Sequence, residues 1–108
     1  MDLKKIKNVV AKGFPNHGFY TLSYHTRRPP LDDPAFRRAI DHAIPRKFMT
    51  EALLSGFAAP GGSVISPANE FWHNPAVKAN SEDINKAKQM LKNAGYWWDK
   101  EGKLRYPK

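Results

Sequence analysis

With 108 residues, 41% of them hydrophobic and 12% aromatic, the chain has room for one domain and is too apolar to be disordered. It contains no cysteine, which excludes disulfides, thiolate nucleophiles and Cys-ligated zinc together. Eighteen Lys and Arg against ten Asp and Glu leave a net charge of +8, a balance open to nucleic acid or an anionic surface.

The bases lie in small groups rather than one stripe: Lys4, Lys5 and Lys7; Arg27 and Arg28; Arg37 and Arg38; Arg46 and Lys47; Lys86, Lys88 and Lys92. No aromatic-rich strand motif of the RNA-binding kind accompanies them. Solvated faces, or contacts to other parts of a larger protein, are the favoured account of them.

The stretch from Met1 to Lys7 has basic charge but no apolar run behind it, so it does not read as a signal peptide. Nowhere do about eighteen apolar residues run together, the length a membrane-spanning helix needs. Asn8 to Gly13 suggests a short strand. Gly18 to Thr26 predicts a longer one, with Tyr20, Leu22 and Tyr24 alternating against Phe19, Thr21, Ser23 and His25. Aromatics occur in both sets, so both faces are expected to be covered. The run Arg27-Arg28-Pro29-Pro30-Leu31 is expected to be extended, because proline biases its predecessor out of the helical region.

Asp33 then serves as a helix N-cap and Pro34 as the first helical residue. Phe36, Ala39, Ile40 and Ala43 recur at helical spacing as the buried face, with Arg37, Arg38 and Asp41 facing outward. Pro45 ends this helix and begins another with the stripe Phe48, Met49, Ala52 and Leu53, stopped at Gly56. The pair predicts a helical hairpin over 34–55. Residues 57–80 show no sustained period and form a long loop, usually functional or wrapped over a neighbour. A helix over 82–94 follows, capped by Ser81 and stopped by Gly95, with Ile84, Ala87, Met90, Leu91 and Ala94 as its apolar face. Tyr96-Trp97-Trp98, the turn Asp99-Lys100-Glu101-Gly102 and Leu104-Arg105-Tyr106 predict a hairpin over 96–106.

The catalytic inventory is thin. There is no Gly-rich phosphate loop and no G-x-S-x-G elbow. The histidines His17, His25, His42 and His73 lie far apart. Glu70 and His73 could share a metal only on a helix, which Pro67 and Pro75 argue against. Asp32 and Asp33 are explained by helix capping. No catalytic residue, metal or cofactor is therefore expected. The aromatic set Phe71, Trp72, Tyr96, Trp97 and Trp98 fits packing or ligand stacking, and exposed rings would favour self-association.

Taken in order, three runs carry a family likeness. They are Gly18-Phe19-Tyr20-Thr21-Leu22-Ser23-Tyr24-His25-Thr26, Arg27-Arg28-Pro29-Pro30-Leu31-Asp32-Asp33-Pro34 and Phe36-Arg37-Arg38-Ala39-Ile40-Asp41-His42-Ala43-Ile44. They are followed by Asn74-Pro75, Asn85-Lys86-Ala87-Lys88-Gln89-Met90-Leu91 and Ala94-Gly95-Tyr96. From Gly18 onward the chain resembles the extracellular solute-binding proteins, family 5, the peptide, dipeptide and nickel receptors of ABC importers.

The resemblance implies a mixed α/β segment of a type II periplasmic-binding-protein-like fold, helix-rich with a few short strands. It further implies a piece of the second lobe of a longer bilobed protein. Met1 would not be the native start, and the export signal would lie elsewhere. Implied partners are a peptide or other small solute and, through the full-length protein, an inner-membrane ABC permease, with no nucleic acid and no membrane insertion. The implied location is periplasmic or extracytoplasmic, as a cell-surface lipoprotein in a Gram-positive host.

Tyr24, His25 and Thr26, on the presumed hinge-side strand, are the candidate ligand-binding residues, with packing or strand pairing as the bland alternative. Two departures stand out. His25 replaces the family's usual Asn, which puts ligand contact there in doubt, and Pro45-Arg46 replaces the usual Asp-Arg. The competing function is a stand-alone basic module for nucleic acid or an anionic surface.

Overall fold

The computed structural model describes residues 5–10, 12–14 and 16–107. Lys4 and Ala11 lie outside the described residues.

Helix α1 spans Pro34–Ala43. The Asp33 carboxylate accepts the Ala35 amide at 2.7 Å, and Pro34 occupies the first position, where no N–H is needed. The helix ends at Ile44, whose ψ of 118° is the extended geometry that a following proline imposes. After Pro45, α2 runs over Arg46–Phe48 and widens at once into a π-helical turn, Met49–Leu53. The Thr50 hydroxyl donates back to the carbonyls of Arg46 and Lys47, both at 3.1 Å, competing for the α-helical ladder just where it opens. Ser55 and Gly56, at φ 51° and 76°, finish the turn.

The expected helical hairpin is therefore not a packed pair. Phe48, Met49 and Leu53 remain exposed, and α1 packs on α3 instead. Helix α3 spans Ile84–Asn93, starting two residues later than expected. Its N-cap is Asp83, which accepts the Lys86 amide at 2.8 Å. Ser81, the expected cap, instead lies two residues ahead of the helix start, where its carbonyl meets the ring of His42 at 3.2 Å, and the Asp83 amide donates to the His42 carbonyl at 2.8 Å. At the other end Gly95 takes φ 88°, and the Tyr96 amide closes onto Leu91 O at 3.0 Å.

Strands β1 (Trp97–Trp98) and β2 (Leu104–Arg105) pair antiparallel, Trp97 opposite Arg105 and Trp98 opposite Leu104. Asp99 organises their turn. Its carboxylate accepts the amides of Glu101 and Lys103 at 3.0 and 2.9 Å and pairs with Arg105 at 2.6 Å. The Lys103 backbone bond, outweighing the small loss of hydration, together with Arg105, holds this carboxyl below its ordinary pKa.

The core lies between α1 and α3. Ala39 and Ala87 are buried where the helices meet, and Tyr96 is buried beneath them, 5.4 Å from the Phe36 ring centre and 6.3 Å from that of Tyr106. Burial raises the Tyr96 hydroxyl to about 12, aided by its hydrogen bond to Asp33 and the nearby Asp32 charge. An open apolar groove of about 240 Å³ runs beside this contact, lined by Ile40, Ala43, Ile84, Leu91 and Leu104 among others.

Two expected strands are absent. Residues 18–25 form no ladder, and Phe19, Tyr20 and Leu22 are exposed rather than covered on both faces. A strand needs a neighbour to take its N–H and C=O groups, and β1 and β2 are the only strands among the described residues. The described residues of 8–13 form no strand either.

The run 27–31, expected to be extended, turns instead. The Arg28 amide donates to His25 O at 3.2 Å, those of Leu31 and Asp32 to Arg28 O at 2.8 and 3.1 Å, and the Pro29–Pro30 bond is cis. Arg37 gathers this turn by donating to the carbonyls of Leu31 and Asp32 at 2.7 and 2.9 Å.

The loop 57–80 folds on itself. A Cβ on Gly62 would lie 2.4 Å from Val77 O, so only glycine lets the two arms of the loop touch there. The Ser66 hydroxyl ties the loop to the N-terminal segment by donating to Asn16 O at 2.8 Å. The radius of gyration is 18.5 Å, against about 13 Å for a compact globule of this length.

Candidate functional site

Tyr24, His25 and Thr26 sit where the irregular segment from Gly18 enters the turn before α1. Their surroundings differ. Tyr24 is half-buried, whereas its neighbours on either side, from Gly18 to Pro29, are exposed. The His25 ring nitrogen Nδ1 accepts the Arg27 amide at 3.3 Å, so the imidazole is spent on shaping its own turn while its edge stays open. Thr26 is exposed, and its hydroxyl has no hydrogen-bond partner among the described residues. Residues 19–24 also make no hydrogen bond among the described residues.

A charged junction ties the end of α1 to the start of α2 and to the loop ahead of α3. Asp41 and Arg37, expected to face outward from α1, are half-buried, because each has a partner that compensates its lost hydration. Arg46 donates to the Asp41 carboxylate and, at 2.8 Å, to the Asp41 carbonyl. It also donates to Asn80 O at 3.3 Å. The Asn80 amide donates to the other Asp41 oxygen at 2.5 Å.

Burial alone would raise the Asp41 pKa. The hydrogen bonds from Asn80 and Arg46, with the Arg46 and His42 charges, outweigh it and hold the carboxyl below its ordinary value. Tyr24 responds to the same groups. Burial raises its hydroxyl first and the Asp41 charge second, while Arg46 and Arg37 oppose both.

The structure thus keeps Tyr24, His25 and Thr26 adjacent without presenting them alike, Tyr24 inward and the other two outward. Asp41, Arg46 and Asn80 escaped the sequence reading. The five-residue step from Asp41 to Arg46 crosses the Pro45 break, where helical spacing no longer says which side chains meet. Asn80 comes from a loop without periodicity. The expected aromatic cluster divides: Tyr96 is buried and Trp98 half-buried, whereas Trp97, Phe71 and Trp72 are exposed. Phe71 and Trp72 meet edge to face at 4.8 Å on the loop 57–80. Among the described residues no group of His, Asp and Glu side chains could hold a metal ion, and no helix is long and apolar enough to cross a membrane.

The glutathione-binding protein GsiB of Shigella flexneri serotype 5b is 30% identical over 94 residues, covering 87% of this chain and 18% of the relative. Its counterpart in Escherichia coli K12 matches to the same extent. The chain therefore spans about a fifth of the length of these curated relatives. The mixed architecture, helix-rich with two short strands, is that of part of a type II periplasmic binding fold. The family model for the middle region of these proteins matches residues 1–108, and the chain belongs to the bacterial extracellular solute-binding proteins, family 5.

Proposed function

We propose that this chain is part of the solute-binding component of an ABC-type importer, which captures short peptides outside the cytoplasmic membrane and passes them to a permease. The family match along all 108 residues carries the reading. Glutathione, the ligand in the name of the relatives, is itself a tripeptide, which supports short peptides as the solute class.

The site contributed by this segment is 24–26. A peptide receptor must satisfy the amides and carbonyls of an extended ligand and offer polar side chains at its rim. The backbone of 19–24, which makes no hydrogen bond among the described residues, the Thr26 hydroxyl and the open edge of His25 are groups of that kind. The proposed location is periplasmic or otherwise extracytoplasmic, and the reading assigns no catalysis. The segment is proposed to form part of the second lobe.

The test is a thermal-shift screen of the full-length protein carrying this segment, against glutathione, di- and tripeptides and nickel chelates. A ligand at a hundredfold excess over its dissociation constant adds about 2.7 kcal/mol to stability. A shift with a peptide or glutathione is the expected result. A shift with a chelate alone would move the solute, and silence from all of them would overturn the reading.

A further inference from the structure

The loop 57–80 is closed at three levels. At its base, one Asp41 carboxylate oxygen bonds Arg46 and the other accepts from the Asn80 amide, while Arg46 returns to the Asn80 carbonyl at 3.3 Å. The three residues form a ring. At its neck, Gly62 lies so close to the backbone of 77–79 that an added Cβ would meet Val77 O at 2.4 Å and Ala79 N at 2.8 Å. At its tip, the His73 ring nitrogen Nδ1 meets Ile65 O at 3.1 Å, and the Trp72 and His73 amides donate to Asn69 O at 3.2 and 2.9 Å. The tip carries the exposed Phe71–Trp72 pair.

The entrance and exit of the loop are held at one place. The chain enters from α2, whose first residue, Arg46, belongs to the ring, and passes through Ser55 and Gly56 in the left-handed region. It leaves at Asn80, after which Ser81 and Asp83 bond to His42 of α1. Arg46 and Asn80 stand 34 residues apart in the chain and meet on Asp41. As a local staple, Asp41 and Arg46 would only bridge the Pro45 break between α1 and α2. The second Asp41 oxygen goes further, because its partner lies 39 residues along the chain. A segment closed on itself and fastened at both ends has the makings of a cooperative unit that opens without the core.

We propose that the Asp41–Arg46–Asn80 ring is a latch that closes the base of the loop 57–80 on the end of α1, so that α2 and the loop, with the aromatic pair it carries, open and close together while the α1–α3 core stays folded. This goes beyond the binding function and does not rest on it.

The test is amide hydrogen exchange, read by NMR on the full chain and its variants Asn80→Ala, Asp41→Asn and Arg46→Gln. Four groups of amides report separately. Met49, bonded to Pro45 O, and Leu54, bonded to Met49 O, report α2 and its π turn; Val77, bonded to Asn74 O, reports the loop; Asp83, bonded to His42 O, reports the exit; and Ala94 and Tyr96, bonded to Met90 O and Leu91 O, report the core. Each variant is expected to speed exchange about fivefold at the first three groups and to leave the core unchanged. The informative effects are the remote ones. Asn80→Ala should loosen α2, and Arg46→Gln should loosen the exit at Asp83, because a coupling between two sites is reciprocal. Effects confined to the element that carries each substitution would leave the ring a local staple and overturn the latch. Equal acceleration of the core amides would show that the loop is no separate unit and would overturn it as well. Asn80→Ala keeps both charges and the whole of α1 and α2, so it decides alone where a charge variant fails to fold.

Discussion

The buried ionisable groups set how the chain responds to pH. Tyr96 titrates at about 12 in the folded chain, above its ordinary value of 10.0. A raised pKa means that folding holds the proton, so this contribution is complete below pH 10 and is lost as pH rises toward 12. Alkaline unfolding should therefore steepen in that window, and Tyr96→Phe should abolish the steepening; circular dichroism at fixed temperature reads it. Asp41 has the opposite sign. Its folded pKa is depressed, so its contribution is present above the ordinary carboxylate range and fades as pH falls through it. Asp41→Asn should flatten the acid limb of the stability curve while leaving the alkaline limb unchanged.

At the level of elements, helix ends and tight approaches decide where structure starts and stops. Asp83→Ala removes the cap of α3 and should cost about 1 kcal/mol, whereas Ser81→Ala should cost little, since only the Ser81 carbonyl is used. Urea denaturation of the two variants compares them directly. Gly62→Ala would place a methyl group against the carbonyl of Val77 and should destabilise the loop 57–80 by roughly 1–3 kcal/mol. Limited proteolysis within that loop should accelerate accordingly. Most helical boundaries were legible in the sequence because their causes are local. Asp33, Pro34, Pro45 and Gly95 each act on the backbone within a few residues. The α3 start was not, because Ser81 and Asp83 are both good local caps, and the chain ahead of α3 is fixed by backbone contacts with His42 of α1.

For the whole molecule the balance of buried and exposed surface is the governing fact. Among the described residues Ala39, Ala87 and Tyr96 are the buried apolar ones, while Phe14, Tyr20, Phe57 and Phe71 are each more than three quarters exposed. Surfaces of this kind associate. The chain should bind a hydrophobic dye and self-associate with rising concentration, read by sedimentation velocity. Added salt should strengthen association by screening the net charge of +8.

By itself the sequence determined the family, the three helical stretches and the closing hairpin, because motif order, caps, prolines and apolar spacing are properties of neighbouring residues. Only the tertiary structure decided that α1 pairs with α3 rather than α2, and that 18–25 forms no strand. It alone also set Asp41, Arg46 and Asn80 in one ring. Each of those outcomes depends on which distant groups come to satisfy a hydrogen bond or bury a face, and such pairings leave no period in the chain.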